Sequence, residues 1–148
     1  MPSQPEYILA GVLMKQHLSG KETAGAFSLF ENRSEGTSRT PIHVHEHDDE
    51  TLYMLEGEMR AIIAGKEQSV KAGETIFLPR RVPHQLMNIS GLPTHYLLFC
   101  TPSGFEGFLA EGGHRRAADE EPQAPTAEDV ELMKAAAPRF GITLLAGW

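Results

Sequence analysis

The sequence predicts an all-β fold, either a sandwich or a barrel, followed by a short helical segment. Apolar residues come in short runs between about Tyr7 and Thr101, and glycine and proline separate these runs. Many short strands with such punctuation are typical of all-β domains. The spacing of apolar residues changes to that of helices only after Pro102. With 148 residues, the chain has the length of one ordinary domain.

The predicted strands all lie before residue 102, and turn signals end most of them. They cover residues 8–14, 26–31, 42–46, 51–56, 59–64, 67–70, 75–78, 85–89 and 95–100. Gly57 and Gly65 mark tight turns between strands. Pro79 ends the strand before it, because proline cannot donate a hydrogen bond to a β-ladder. We therefore assign residues 1–102 to a β-barrel that includes the N-terminal strands.

Residues 103–148 are predicted to form a C-terminal helical extension of the same domain. A short helix covers residues 103–110 and stops at a glycine pair, and a polar loop follows at residues 115–125. Thr126 resembles the N-cap of a second helix, with acidic residues in its first turn. The apolar tail at residues 142–148 must be buried, either against the barrel or against a partner subunit.

Composition and charge exclude several classes of function. The net charge of −7 argues against a nucleic-acid-binding protein, and no basic stripe is present. No apolar run approaches the ~20 residues of a membrane span, and the N-terminal residues do not resemble a signal peptide. The single cysteine, Cys100, lies in an apolar run and is expected to be a core residue. We expect a cytoplasmic protein that binds neither nucleic acid nor membranes.

Two short clusters of polar residues contain candidate metal ligands. His43 and His45 are two residues apart, so on a strand they project from the same face. Glu50 follows them, and His84 lies in the second cluster. Three imidazoles and one carboxylate suit a divalent first-row transition metal. The neighbours of Glu50 leave alternatives for the fourth ligand, namely His47, Asp48 and Asp49.

Both clusters resemble the two signature motifs of the cupin superfamily. The first motif is Gly, five residues, His-x-His, three or four residues, Glu, six residues, Gly, and it is matched by His43, His45, Glu50 and Gly57. The second is Gly, five residues, Pro-x-Gly, two residues, His, three residues, Asn, and it is matched by Gly73, Pro79, His84 and Asn88. Gly36 lies one residue too far upstream for the first motif. Arg81 stands where the second motif has glycine; if that turn needs a positive φ, Arg81 is strained there or the turn differs.

This resemblance implies a double-stranded β-helix, which is a jelly-roll barrel, with one divalent transition metal ion (Mn, Fe, Co, Ni, Cu or Zn) inside one mouth. It also implies a homodimer. A single barrel followed by residues 104–109 and a second helix looks like the small bacterial quercetin 2,3-dioxygenase-like cupins. That likeness implies a dioxygenase that oxidises a hydroxylated aromatic or enol-type small molecule with O₂. In such enzymes the ligand glutamate, here Glu50, also takes the substrate proton.

An apolar pocket above the metal is expected to hold the substrate. Strand alternation places Leu52 and Met54 on the same face as Glu50, and Leu86 on the same face as His84. Phe77 and Leu98 are further candidates for the barrel interior and the pocket. Such a pocket suits a flat aromatic or otherwise hydrophobic molecule. Two other hypotheses use the same fold. The metal site could serve an isomerase, lyase or cyclase that acts on a small oxygenated metabolite, or the barrel could be a non-catalytic binding module.

Overall fold

The computed structural model describes residues 4–146 of the chain. The strands before residue 102 are β1 (Glu6–Leu9), β2 (Val12–Leu18), β3 (Ser28–Ser34), β4 (Ser38–Arg39), β5 (Ile42–His45), β6 (Asp49–Glu56), β7 (Glu58–Ile63), β8 (Lys66–Lys71), β9 (Thr75–Leu78), β10 (His84–Asn88) and β11 (Thr94–Thr101). A short helix, α1 (Gly20–Thr23), lies between β2 and β3. The later elements are α2 (Phe105–Gly112), β12 (His114–Arg115), α3 (Ala127–Ala136), a 3₁₀ helix (Ala137–Phe140) and β13 (Ile142–Ala146).

Two antiparallel sheets form the barrel. The seven-stranded sheet has the order β12-β1-β2-β3-β11-β6-β9, and the six-stranded sheet has the order β13-β5-β10-β7-β8, with β4 paired to β10. Buried residues alternate with exposed ones along most strands, so one face of each sheet supplies the core. The largest fully buried side chains of that core include Phe30, Leu52 and Met54. The prediction of an all-β fold is confirmed.

The first predicted strand, residues 8–14, is wrong in its extent, because it contains a hairpin turn. Ala10 and Gly11 have φ values of 51° and 78°, and Leu9 pairs with Val12 across them. A two-residue loop with positive φ at both positions matches the right-handed twist of the strands that it joins. Alanine rarely takes a positive φ, so the sequence carries only half of the usual turn signal here.

The segment after Pro102 contributes strands as well as helices to the barrel. Thr126 caps α3 through the backbone N–H of Asp129, and the Asp129 side chain accepts from the N–H of Thr126. The polar segment predicted as a loop begins with β12, which pairs with β1. The apolar tail forms β13, which pairs with β5, so within one chain it covers the strand that carries two of the candidate ligands. Gly147 and Trp148, the last residues of that tail, lie outside the described residues.

No helix among residues 4–146 has the length and apolar character that crossing a bilayer requires.

Candidate metal centre

Three strands bring four ligand side chains to one point inside the barrel. His43 and His45 come from β5, Glu50 from β6, and His84 from β10, where it lies directly opposite His43. One candidate ligand atom of each residue lies within 4.8 Å of the others. All four side chains are buried, and Glu50 is 5% exposed. The four residues predicted as ligands are thus the ones that converge.

Each imidazole of the cluster is held through its Nδ1 atom. His43 Nδ1 lies 2.8 Å from the carbonyl oxygen of Pro41, and His84 Nδ1 lies 3.3 Å from that of Val82. His45 Nδ1 lies 3.1 Å from Oδ1 of Asp48. Because carbonyl and carboxylate oxygens accept, each Nδ1 carries a hydrogen, which leaves Nε2 with a lone pair whenever the ring is neutral. This is the tautomer that a metal-binding histidine needs.

Glu50 lies between two of these imidazoles and lacks hydrogen-bond partners. Its Oε1 atom is 2.8 Å from His45 Nε2 and 3.4 Å from His84 Nε2. Neither contact has hydrogen-bond geometry, and both Glu50 Oε1 and His84 Nε2 are fully buried without a partner among the described residues. Unpaired buried polar atoms are rare in proteins. Three imidazole nitrogens and one carboxylate oxygen form a donor set that divalent transition metals accept, so these residues fit such an ion.

Without a metal ion, the protonation states of His43, His45 and Glu50 depend on one another. Burial lowers the pKa of His43 to about 4, and the neighbouring His84 and His45 add to that effect. Burial also opposes the charge on His45, but the carboxylates of Glu50 and Asp48 raise its pKa to about 10. Burial favours neutral Glu50, yet His45 and His84 hold the pKa of that carboxyl well below its usual range. A proton on His45 therefore balances Glu50, and a metal ion would replace that proton.

A small apolar cavity of about 80 Å³ adjoins the cluster. His43, His45 and Glu50 form one part of its wall. Apolar residues from several parts of the chain supply most of the remainder: Leu9, Ala10, Val12, Met14, Leu86, Leu98, Phe105, Phe108, Met133, Ile142 and Leu144. The barrel thus encloses a space that is polar at the ligands and mainly apolar elsewhere.

The candidate pocket residues divide into three groups. Leu86 and Leu98 lie on the wall of the cavity. Leu52 and Met54 are fully buried in the core but do not line it. The prediction for Phe77 is wrong, because its side chain is 55% exposed. Leu78 pairs with the buried Glu50, whereas Phe77 pairs with Thr51. The inward face of β9 therefore carries Ile76 and Leu78, and Phe77 points outward.

Several site residues were not predicted. Asp48 was considered only as an alternative ligand, but it orients His45 instead. His47 is exposed, and Asp49 pairs with Arg80, so neither replaces Glu50. Asn32 and Tyr96 also lie on the cavity wall. Their inward position on β3 and β11 follows from strand alternation, which was the available signal.

Arg81 has the left-handed backbone conformation that glycine adopts most readily. Its φ is 65°, in the left-handed region. Its backbone N–H donates to the carbonyl oxygen of His45 at 2.8 Å, which ties this turn to the ligand strand. Its side chain forms an exposed ion pair with Glu46 at 3.0 Å.

Comparison with known proteins supports the same fold. Residues 30–100 match the family model of the cupin domain. A 65-residue stretch is 34% identical to the uncharacterized protein MJ1618 of Methanocaldococcus jannaschii, and it covers 44% of this chain and 52% of that relative. The chain therefore spans about half the length of the curated relative that it matches.

Solved structures with the same fold have low sequence identity to this chain. A predicted oxalate decarboxylase from Thermotoga maritima superposes with a TM-score of 0.61 at 24% identity, over 68% of this chain and 94% of that one. The cupin domain of Schizosaccharomyces pombe Cnp3 gives a TM-score of 0.56 at 11% identity, over 65% and 68% of the two chains. KdgF from Halomonas sp. gives 0.57 at 13% identity, over 66% and 84%. These likenesses concern the fold alone.

All four ligand residues lie inside the matched segment, on strands of a two-sheet antiparallel barrel. Residues 30–100 of the chain are therefore a cupin domain.

Proposed function

We propose that this protein is a metal-dependent oxidoreductase of the quercetinase type, a dioxygenase that oxidises a compact hydroxylated or enol-type molecule with O₂. One observation carries the proposal. Glu50 Oε1 and His84 Nε2 are buried without a hydrogen-bond partner among the described residues, and Glu50 lies on the wall of a mainly apolar cavity. A cation would satisfy these atoms, and a substrate would reach them from the cavity. His43, His45, Glu50 and His84 would hold the ion.

A divalent ion bound there would lower the pKa of a substrate hydroxyl, as it does for bound water. Glu50 would receive the proton that this hydroxyl releases, because among the described residues that line the cavity it alone carries a carboxylate. A positioned carboxylate of this kind typically contributes ~10²–10⁴ to the rate. Asp48 holds the ring of His45 through Nδ1, so the orientation of the imidazole beside Glu50 does not depend on the substrate.

The size of the cavity favours a compact substrate. Pockets that enclose drug-sized ligands occupy ~300–1,000 Å³, whereas this cavity is about 80 Å³. A flavonol would enter only if the wall moved. Phe105, Phe108 and Met133, from the two C-terminal helices, form the part of the wall that could move without breaking a strand pair. We therefore favour an enol of a few carbon atoms over a flavonol.

The charge of the cavity wall restricts the substrate further. Among the described residues that line it, none is lysine or arginine. A phosphate group or a second carboxylate would be buried there without a counter-charge, at a large cost in free energy. The substrate is therefore an uncharged molecule that becomes an anion only at the metal.

A redox-neutral reaction is the second candidate, because Glu50 could also return the proton to another atom of the substrate. An isomerase or lyase of this kind needs the metal and Glu50 but consumes no O₂. A non-catalytic binding module is the third candidate, and it needs neither a metal nor Glu50. These three functions differ in metal content and oxygen use.

The test uses protein loaded separately with Mn, Fe, Co or Ni, with metal content measured by mass spectrometry. Each form receives 2,4-pentanedione, a compact enol, or quercetin, a flavonol, and O₂ uptake is recorded together with product formation. We expect uptake with the compact enol. The variants His84→Ala and Glu50→Gln should lose it, and His47→Ala, which removes an exposed histidine outside the cluster, should retain it.

Other outcomes select another function. Absence of O₂ uptake with all four metals would remove the dioxygenase proposal. Substrate conversion without O₂ would favour the isomerase or lyase. A protein that retains no metal, and whose unfolding midpoint does not rise when metal is added, would favour the binding module, because a bound ion stabilises the folded state.

A further inference from the structure

Asn32 has a buried side chain without hydrogen bonds. The residue is 0% exposed, and neither Nδ2 nor Oδ1 of its amide has a partner among the described residues. The side chain lies on the wall of the cavity that also contains His43, His45 and Glu50. A buried amide without partners is unfavourable unless another molecule satisfies it. The position of Asn32 makes a bound ligand the natural partner.

Asn32 lies beside a second polar group, at some distance from the metal cluster. In the strand register, Asn32 of β3 is opposite Tyr96 of β11, and Cys100 of β11 is opposite Glu50 of β6. Tyr96 and Cys100 are therefore two side-chain rows apart on the same face, which is ~13 Å along the backbone. Leu98 lies in the row between them and also lines the cavity. The cavity thus has one polar end at Glu50, another at Asn32, and an apolar surface between them.

Both groups at the Asn32 end are uncharged. The amide offers one donor group and one acceptor oxygen. Burial, together with the charge of Glu50, raises the pKa of Tyr96 to about 12, although the nearby Asn32 opposes that rise, so the phenol stays protonated. An ionic group would find no counter-charge there, whereas a hydroxyl or a carboxamide could both donate and accept.

We propose that Asn32, assisted by Tyr96, binds an uncharged hydroxyl or carboxamide at the end of the substrate that is remote from the metal cluster. This inference rests on the proposed function for the metal-bound end of the substrate. It gives the substrate class as a short molecule with a metal-binding oxygen group at one end, a few carbons, and a neutral polar group at the other. Asn32 would then select among compact substrates by their length and their remote group.

The test compares two probes that differ by one hydroxyl, butanohydroxamic acid and 4-hydroxybutanohydroxamic acid. Hydroxamates bind zinc through their oxygens, so zinc-loaded protein allows binding to be measured without turnover. Dissociation constants are measured by calorimetry for zinc-loaded and metal-free wild-type protein, for Asn32→Leu, and for Ser34→Ala. Ser34 is a matched control, because it is buried on the same strand but bonds to Thr94 and does not line the cavity.

A second readout is measured on the wild-type protein, and a variant serves only to assign the signals. The side-chain amide signals of Asn32 in a ¹⁵N spectrum, assigned by their loss in Asn32→Leu or Asn32→Asp, report directly on this group. The methyl signals of Leu86 and Leu98 report whether a probe is in the cavity.

We expect the wild-type protein and Ser34→Ala to bind the hydroxyl-bearing probe about tenfold more tightly than the plain one, which is the usual effect of one good hydrogen bond. Asn32→Leu should lose that preference, and only the hydroxyl-bearing probe should shift the Asn32 amide signals. The inference is overturned if Asn32→Leu keeps the preference, if a probe in the cavity leaves the amide signals unchanged because water satisfies them, or if neither probe enters the cavity. A preference that persists equally in metal-free protein would instead count against the metal-dependent function alone.

Discussion

Arg81 provides a test of whether backbone strain is stored next to the metal ligands. The residue has a φ of 65° at a position where the family motif has glycine. A residue with a Cβ atom pays ~1–2 kcal/mol in this conformation, and glycine does not. Glycine in turn loses ~0.4–1 kcal/mol relative to alanine, because it makes the unfolded chain more flexible. Arg81→Gly should therefore be more stable than Arg81→Ala by about 0.5–1 kcal/mol.

The comparison is made between these two variants because both lose the exposed ion pair of Arg81 with Glu46. The assay is urea denaturation followed by circular dichroism, with thermal unfolding as a second measurement. The midpoint of Arg81→Gly should lie ~1–4 °C above that of Arg81→Ala. The same pair of substitutions at Glu35, an exposed residue with no positive φ, should give the opposite order. If alanine is the more stable residue at position 81 as well, the reasoning about strain is wrong.

Three further perturbations follow from contacts in the barrel. Gly57→Ala should destabilise the fold by about 2–5 kcal/mol in urea denaturation, because φ is 86° and the new Cβ would lie 2.5 Å from the carbonyl oxygen of Pro93. Asp48→Asn should weaken zinc binding, measured by calorimetry, by ~10–100-fold, because it replaces the carboxylate that holds Nδ1 of His45. Hydrogen bonds from His17 and His95 lower the pKa of Glu31 to about 2 in the folded protein. The Glu31 carboxylate therefore stabilises the fold fully at pH values above its unfolded pKa, near 4.5, and this stabilisation is lost as the pH falls to about 2. Urea denaturation at several pH values should show Glu31→Gln less stable than wild type at pH 5, with the difference shrinking toward pH 2.

The first two of these perturbations have a control at a comparable position. Gly73→Ala has the same φ of 86° but open space around the new Cβ, so it should cost less than Gly57→Ala, and equal costs would remove the clash from the explanation. Asp49→Asn changes a carboxylate that pairs with Arg80 and not with a ligand histidine, so the zinc affinity should remain unchanged. A stability difference for Glu31→Gln that is independent of pH would contradict the linkage argument.

The four ligands could be predicted from the sequence because their positions depend on short-range rules. His43 and His45 share a strand face through their spacing of two, and the motif spacing adds Glu50 and His84. The groups that orient these ligands were harder to predict. Two of the three acceptors are backbone carbonyls, at Pro41 and Val82, and a carbonyl has no residue-type signal.

The cavity wall depended on information that the strands alone do not contain. A helix at residues 103–110 is predicted from the sequence, but what Phe105 and Phe108 of that helix cover is decided by how α2 packs against the barrel. Phe77 shows the opposite difficulty. On a strand of four residues, β9, a shift of one position exchanges the inward and outward faces, and its pairing with β6 decides which one applies. Apolar residue type did not indicate the buried face, because Phe77 is apolar and exposed.

The distribution of the site over the two sheets gives the metal and the substrate different structural roles. The three histidines belong to the six-stranded sheet, and Glu50 belongs to the seven-stranded sheet. An ion that contacts all four residues can do so only when the two sheets are packed as in the folded barrel, so its binding free energy adds to the stability of that packing. Glu50, Tyr96 and Asn32, by contrast, all lie on the seven-stranded sheet. The distance between the two polar ends of the cavity is therefore set by the register of neighbouring strands, which is among the least deformable dimensions of a sheet. The length of an acceptable substrate should for that reason stay the same when one metal ion replaces another.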